Sequence, residues 1–121
     1  MKKYLIILFL FLSLTSNVSA ETKRIIVGNQ DAKITIIAYE SLTCNHCANF
    51  HEEVYPKLKK DYIDTGLAKI EFRHFPLDLA ALNAAKISQC KNNQSLKILE
   101  SLYSNQQTWV KGNTIEEVNE S

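Results

Sequence analysis

Ile34-Thr35-Ile36-Ile37-Ala38-Tyr39-Glu40-Ser41-Leu42-Thr43-Cys44-Asn45-His46-Cys47 is the stretch from which the rest of the chain is read. Its first six residues are β-branched or apolar on both alternating faces, as in a strand covered on both sides of a parallel α/β sheet. Glu40 to Thr43 form the loop leaving its carboxyl end. A helix is expected to start at Cys44, with the Thr43 hydroxyl accepting a free backbone N–H of its first turn. Cys44 and Cys47 then lie one turn apart on one face, with Cβ atoms roughly 5–6 Å apart. A small adjustment brings two such sulfurs to bonding geometry. Cys44 sits where unpaired N–H groups and the helix dipole favour negative charge, which favours its thiolate. His46 adds positive charge nearby. Cys47, one turn in, is expected to be the buried partner. A stabilised thiolate stabilises the reduced pair and makes its disulfide a stronger oxidant.

Downstream, Cys47, Phe50, Val54 and Leu58 recur at helical steps and predict one apolar face. Pro56 removes a hydrogen bond inside that pattern and is expected to kink the helix. Gly66 ends the region after Asp64 and Thr65. Lys69 to Phe75 alternates, with Ile70, Phe72 and His74 facing one way, and reads as a strand. Leu77 to Cys90 is alanine-rich and helical, with Leu77, Ala81, Ala84, Ala85, Ile87 and Ser88 as its packing stripe. Ser95 to Ser104 predicts another helix, with Leu96, Leu99, Leu102 and Tyr103 inward. Asn105 to Asn113 reads as a loop carrying Trp109, and Thr114 with Glu117 forms a capping box that opens a further helix. Upstream, Arg24 to Val27 predicts a short strand ending at Gly28.

The chain has 121 residues and a formal charge of +1. Residues 1–20 read as a secretory signal peptide: Lys2 and Lys3, an apolar run from Tyr4 to Leu14, then small residues at Val18-Ser19-Ala20. The run is short for a bilayer span. Export to the periplasm is therefore expected, and residues 21–121 form the domain. Removing Lys2 and Lys3 from the 14 basic side chains leaves 12 against 13 acidic ones, a net charge near −1. No basic patch invites nucleic acid and no cationic amphipathic stretch invites lipid.

An exported protein meets oxidising conditions. Three cysteines, one close pair and Cys90, make a poor structural framework and a good redox pattern. No second such pair follows, and Cys90 with His74 gives no standard zinc spacing. Copper is the metal alternative, through Cys44, Cys47, His46 and His51. The redox reading is preferred, because the pair follows a strand and opens a helix, and it requires no cofactor. Cys90 is read as a small buried hydrophobe, His74 as a packed strand residue, and His51 as a packing or surface histidine.

The segment from Tyr39 to His51 resembles the active-site segment of DsbA-type thiol–disulfide oxidoreductases of the alphaproteobacterial kind. The likeness continues through Val54-Tyr55-Pro56, Tyr62 to Gly66, Arg73 to Asp78, Ala84-Ala85, Cys90, Leu102-Tyr103, Asn105-Gln106 and Trp109. It implies a thioredoxin-like α/β fold with a helical insertion that starts at residues 77–121. It implies catalysis by Cys44, which attacks, and Cys47, which resolves, with Asn45 and His46 setting the redox poise. Its implied partners are cysteine-containing exported proteins and a quinone-linked membrane oxidase that reoxidises the pair. Asn45 stands where the family usually has proline, and Ala38 where many relatives carry an acidic residue under the active site. The family's later strands and its cis-proline loop have no counterpart in residues 21–121, so the domain reads as partial. On that reading Lys69–Phe75 is expected to be an open sheet edge.

Overall fold

The computed structural model describes residues 23–91, 93–112 and 116–117. The expected signal peptide and the helix start at Thr114 lie outside the described residues.

Three strands form one sheet: β1 (Ile25–Gly28), β2 (Ile34–Glu40) and β3 (Ala68–His74). Their order is β1-β3-β2, with β1 antiparallel and β2 parallel to β3. The central strand is therefore β3, and Lys69–Phe75 is not the open edge expected of it. Ala38 and Ile25 flank Phe72, and Ile36 and Val27 flank Ile70. Register partners point to the same face, so these side chains form one apolar layer, with Ile25, Ile70 and Phe72 buried.

Among the described strands β1 and β2 are the outer two, and β2 carries the active-site loop at its end. The second face of β2 is open rather than covered: Ile37 is 43% and Tyr39 62% exposed. On that face Arg73 Nε donates to Glu71 Oε1 at 2.8 Å, and Arg73 Nη1 donates to the Tyr39 hydroxyl at 2.9 Å. The Arg73 hydrogen bond holds the buried Glu71 carboxyl below the usual carboxylate range, against the opposing effect of burial.

The connection from β2 to β3 is helical from residue 45 to 63, but it is not one regular helix. Short α-helical pieces, α1 (Asn45–Asn49) and α2 (Tyr55–Leu58), alternate with π-helical turns at Phe50–Val54 and Lys59–Ile63. Pro56, in the first turn of α2, is the cause: it has no N–H to give, and its ring displaces the carbonyl one turn back. The chain absorbs this by widening the preceding turn, in which the Tyr55 N–H reaches the Phe50 carbonyl five residues back. The extra residue shifts the helix phase. Val54, expected inward, is half-exposed, and Tyr55 is buried in its place.

Three helices follow, α3 (Leu79–Gln89), α4 (Ser95–Ser104) and α5 (Gln106–Trp109), and buried residues of α3 and α4 join Ile25, Ile70 and Phe72 in one core. In α3, Ala81, Ala84, Ala85 and Ser88 are buried as expected, while Ile87 and, ahead of the helix, Leu77 are exposed. In α4, Leu99 and Tyr103 are buried, with Leu96 and Leu102 packed against them. The expected loop around Trp109 contains α5 instead, and the indole N–H donates to the Leu102 carbonyl at 2.9 Å. Among the described residues no helix is long and apolar enough to cross a membrane.

Candidate active site

Cys44 is itself the N-cap of α1. Its φ of −78° and ψ of 117° place it just outside the helix, and its Sγ accepts the Cys47 N–H at 3.3 Å. Thr43, expected to be the cap, does something else. Its Oγ1 donates to Asp78 Oδ2 at 2.5 Å and lies 3.1 Å from Ser41 Oγ. The sulfur thus takes the place of a capping oxygen. One of the helix's free donors aims at Cys44, and α1 contains Cys47 one turn further on.

Both cysteines are half-buried and in the dithiol form. Burial pushes the Cys47 thiol up to about 11, and its hydrogen bond to Cys44 pushes the same way. Cys47 therefore holds its proton at neutral pH. Asn45 and His46, between them, are exposed.

The loop before Cys44 is held from three directions. Gln106 Nε2 donates to the Leu42 carbonyl at 2.8 Å and to the Cys44 carbonyl at 3.1 Å. The Tyr103 hydroxyl donates to the Ser41 carbonyl at 3.2 Å. Asp78 accepts from Thr43 on one oxygen and caps α3 through the Ala81 N–H at 2.7 Å on the other. Loop, α3, α4 and α5 are thereby fixed to one another around the cysteine pair.

Beneath α1, His51 Nε2 is 2.9 Å from Glu40 Oε2, with the two side chains only 6% and 3% exposed. The His51 ring stacks on Tyr103 at 4.2 Å between centroids and lies 5.0 Å from Phe72. His51 is a core residue and is not placed with His46 at the cysteines. Among the described residues no group of three His, Cys, Asp or Glu side chains is placed to hold a metal, so the copper constellation is not assembled. Cys90, expected to be buried, is exposed, its thiol donating to the Lys86 carbonyl at 3.3 Å. His74 lies 2.8 Å from Ser88 Oγ, and burial holds it below the ordinary imidazole range.

A family model described as Thioredoxin matches residues 20–121.

The chain belongs to the thioredoxin family.

Within that family its relatives are of the DsbA type. It is 35% identical to Wolbachia pipientis alpha-DsbA1, with a TM-score of 0.68 over 84% of this chain and 50% of that one. It is 27% identical to the protein-disulfide isomerase from Novosphingobium aromaticivorans, with a TM-score of 0.69 over 74% of this chain and 46% of that one. A Rickettsia bellii protein, provisionally named a protein-disulfide oxidoreductase, is 38% identical over 68 residues, 56% of this chain and 26% of the relative. The chain spans about a quarter to a third of the length of the curated relatives it matches first. The thioredoxin-like fold with a helical insertion is as the resemblance implied.

Sequence reasoning missed Glu40, Gln106 and Asp78 as parts of the site. Glu40 sits two residues after Ala38, and a step of two along a strand keeps a side chain on the same face. That spacing was the available signal for a buried acid. Gln106 gave none, because nothing local says that its amide reaches back 64 residues to the Leu42 carbonyl.

Proposed function

We propose that this chain carries out dithiol–disulfide exchange with cysteine-containing exported proteins in the periplasm, through Cys44 and Cys47. The observation that carries the reading is the Cys44 sulfur capping its own helix, one turn from a cysteine that keeps its proton. In the oxidised pair, a substrate thiolate attacks Cys44 Sγ. The Cys44–Cys47 bond breaks, and the electron pair leaves on Cys47. A second substrate thiolate then attacks the substrate sulfur of the mixed disulfide and expels Cys44 as a thiolate, whose charge the Cys47 N–H receives. The substrate loses two electrons and the pair gains them. A membrane oxidase linked to quinone reoxidises the pair, and residues 1–20 direct the export. Asn45 and His46 tune the poise from their exposed positions between the sulfurs.

The test follows thiol loss in a reduced, unfolded substrate protein mixed with the oxidised chain. The chain oxidises it, and Cys44→Ser and Cys47→Ser, neither of which can form the Cys44–Cys47 disulfide, do not. Unchanged oxidation by Cys44→Ser sinks the proposal.

A further inference from the structure

The edge that β2 presents carries none of the usual guards. From Ile34 to Tyr39 there is no charged residue, no proline and no glycine, and Ile34, Thr35, Ile36 and Ile37 are all β-branched. The strand runs against β3 without a bulge, its register unbroken from Ile34 to Glu40. Edge strands are ordinarily short, charged, bulged or broken by proline, because their free N–H and C=O groups are a template for another strand. The other outer strand, β1, has such guards: it is four residues long, follows Lys23 and Arg24, and ends at Gly28.

Which backbone groups of β2 point away from the sheet follows from one bond. The Phe75 N–H donates to the Glu40 carbonyl at 2.8 Å, so Glu40 turns its backbone groups towards β3. Alternation along the strand turns those of Ile34, Ile36 and Ala38 the same way, and those of Thr35, Ile37 and Tyr39 outward. Among the described strands β2 has no neighbour on that side. The side chains of the same three residues lie on the open face of the sheet, and all three are exposed.

Ile37 is the middle residue of the three. A second β2 laid antiparallel about a two-fold axis at Ile37 sets Ile37 against its own counterpart and each Thr35 against a Tyr39. All of these are hydrogen-bonded pairs that exchange two bonds each, so no outward group from Thr35 to Tyr39 is left over. The side chains agree with this register. Isoleucine meets isoleucine, an aromatic ring meets a β-branched residue, and no like charges face each other. Arg73 donates from Nη1 to the Tyr39 hydroxyl and lies 5.6 Å over its ring, so Tyr39 is held in place on the open face before any partner arrives. A strand that fits its own copy in this way meets the requirement of a closed two-fold interface.

We propose that two copies of this chain associate through β2, antiparallel about a two-fold axis at Ile37, joining their sheets into one and leaving the guarded β1 strands outermost. Cys44 follows the carboxyl end of β2, so the antiparallel contact puts the two cysteine pairs at opposite ends of the joined strands. Association therefore leaves both pairs accessible and does not depend on their being redox-active.

The experiment is sedimentation of the full mature chain over a range of concentrations, with amide hydrogen exchange read residue by residue. Dithiothreitol is present throughout, so that the exposed Cys90 cannot link copies by a disulfide. Wild type is expected to sediment at twice the monomer mass, with the Thr35, Ile37 and Tyr39 amides protected. Ile37→Lys and Ile37→Glu each set like charges directly opposite one another across the axis. Each is expected to be monomeric where wild type is dimeric, with that protection lost. Mixed in equal amounts, the two variants are expected to form a dimer again, because this register brings residue 37 against itself. Should either variant fail to fold, Thr35→Pro replaces it: the N–H it removes points outward, so the bonds to β3 stay while the contact loses a donor. A wild type that is monomeric at every concentration overturns the proposal. So does a dimer that survives Ile37→Lys or Thr35→Pro, or a mixture of the two charged variants that stays monomeric. A monomer whose three amides are nevertheless protected overturns it too, and shows β2 covered by another part of the same chain.

Discussion

Thr43 Oγ1 donates to Asp78 Oδ2 at 2.5 Å across 35 residues of sequence, and Asp78 Oδ1 caps α3 through the Ala81 N–H. One carboxylate thus serves two elements. Asp78→Ala loses a helix cap and a half-buried hydrogen bond, a destabilisation of about 2 kcal/mol. Thr43→Val loses only the second, about 1 kcal/mol. Denaturant unfolding of both single variants and the double variant checks this: the double loses less than the sum, because the shared bond can be lost only once.

Gln106→Leu leaves the Leu42 and Cys44 carbonyls without their side-chain donor, and roughly 2 kcal/mol of stability goes with it. The Cys44 carbonyl also accepts from the Ala48 N–H at 3.1 Å, so the helix start survives while the loop loosens. Cys44 alkylation by iodoacetamide should change rate in this variant, with that of the distant Cys90 unaltered.

In the reduced protein at neutral pH, iodoacetamide is expected to label Cys44 and Cys90 well before Cys47, whose thiol stays protonated to about 11. The same shift makes stability depend on pH. The folded value lies above the ordinary thiol value of 9.0, so the folded chain holds the proton longer than the unfolded one. The contribution is complete below pH 9.0 and fades as pH rises through about 11. Tyr55, raised by burial from 10.0 to about 12, adds a loss of the same sign slightly higher. Denaturant midpoints measured along this alkaline range should fall. Cys47→Ser should remove the earlier part of the fall and Tyr55→Phe the later part.

Gly28 and Gly66 both have positive φ, +108° and +80°. They should not respond alike to alanine. A Cβ at Gly28 meets Ile63 Cγ2 at 2.8 Å and the Ala68 carbonyl at 3.0 Å, whereas one at Gly66 meets nothing within 4 Å. Gly66→Ala costs the left-handed backbone penalty alone, about 1–2 kcal/mol. Gly28→Ala adds overpacking between β1 and the end of the helical stretch, for a total of roughly 3 kcal/mol. Thermal unfolding of the two variants ranks them.

The cysteine pair, its strand and its helix were legible because each is a local pattern: apolar residues up to Tyr39, then two cysteines one turn apart. β3 was legible by alternation, but its central place was not, since pairing order depends on which strands meet. Ile37 and Tyr39 looked like buried strand residues by composition. In the described structure they form an exposed face with Arg73, whose guanidinium lies 5.6 Å over the Tyr39 ring. His51 could be named a packing residue from its helix, but its ion partner depends on the pleat of β2 meeting the helix above it. Gln106 and Asp78 act over dozens of residues, and no periodicity records that.

The widened turn at Phe50–Val54 bears on how this gene can change. A π-turn holds one residue more than an α-turn, and each residue advances a helix by about 100°. Deleting a single codon there would let the turn wind back to the tighter form, with the cysteine end and the segment after Pro56 keeping their relative angle. Tyr55 and Ile63 anchor the far end in the core. The surplus residue therefore acts as a mechanical phase adjuster. It lets a cysteine-bearing head and a hydrophobic tail, each with its own angular requirement, share one continuous rod, and it gives the span between them, with its solvent-facing Glu52 and Glu53, slack to lose one residue.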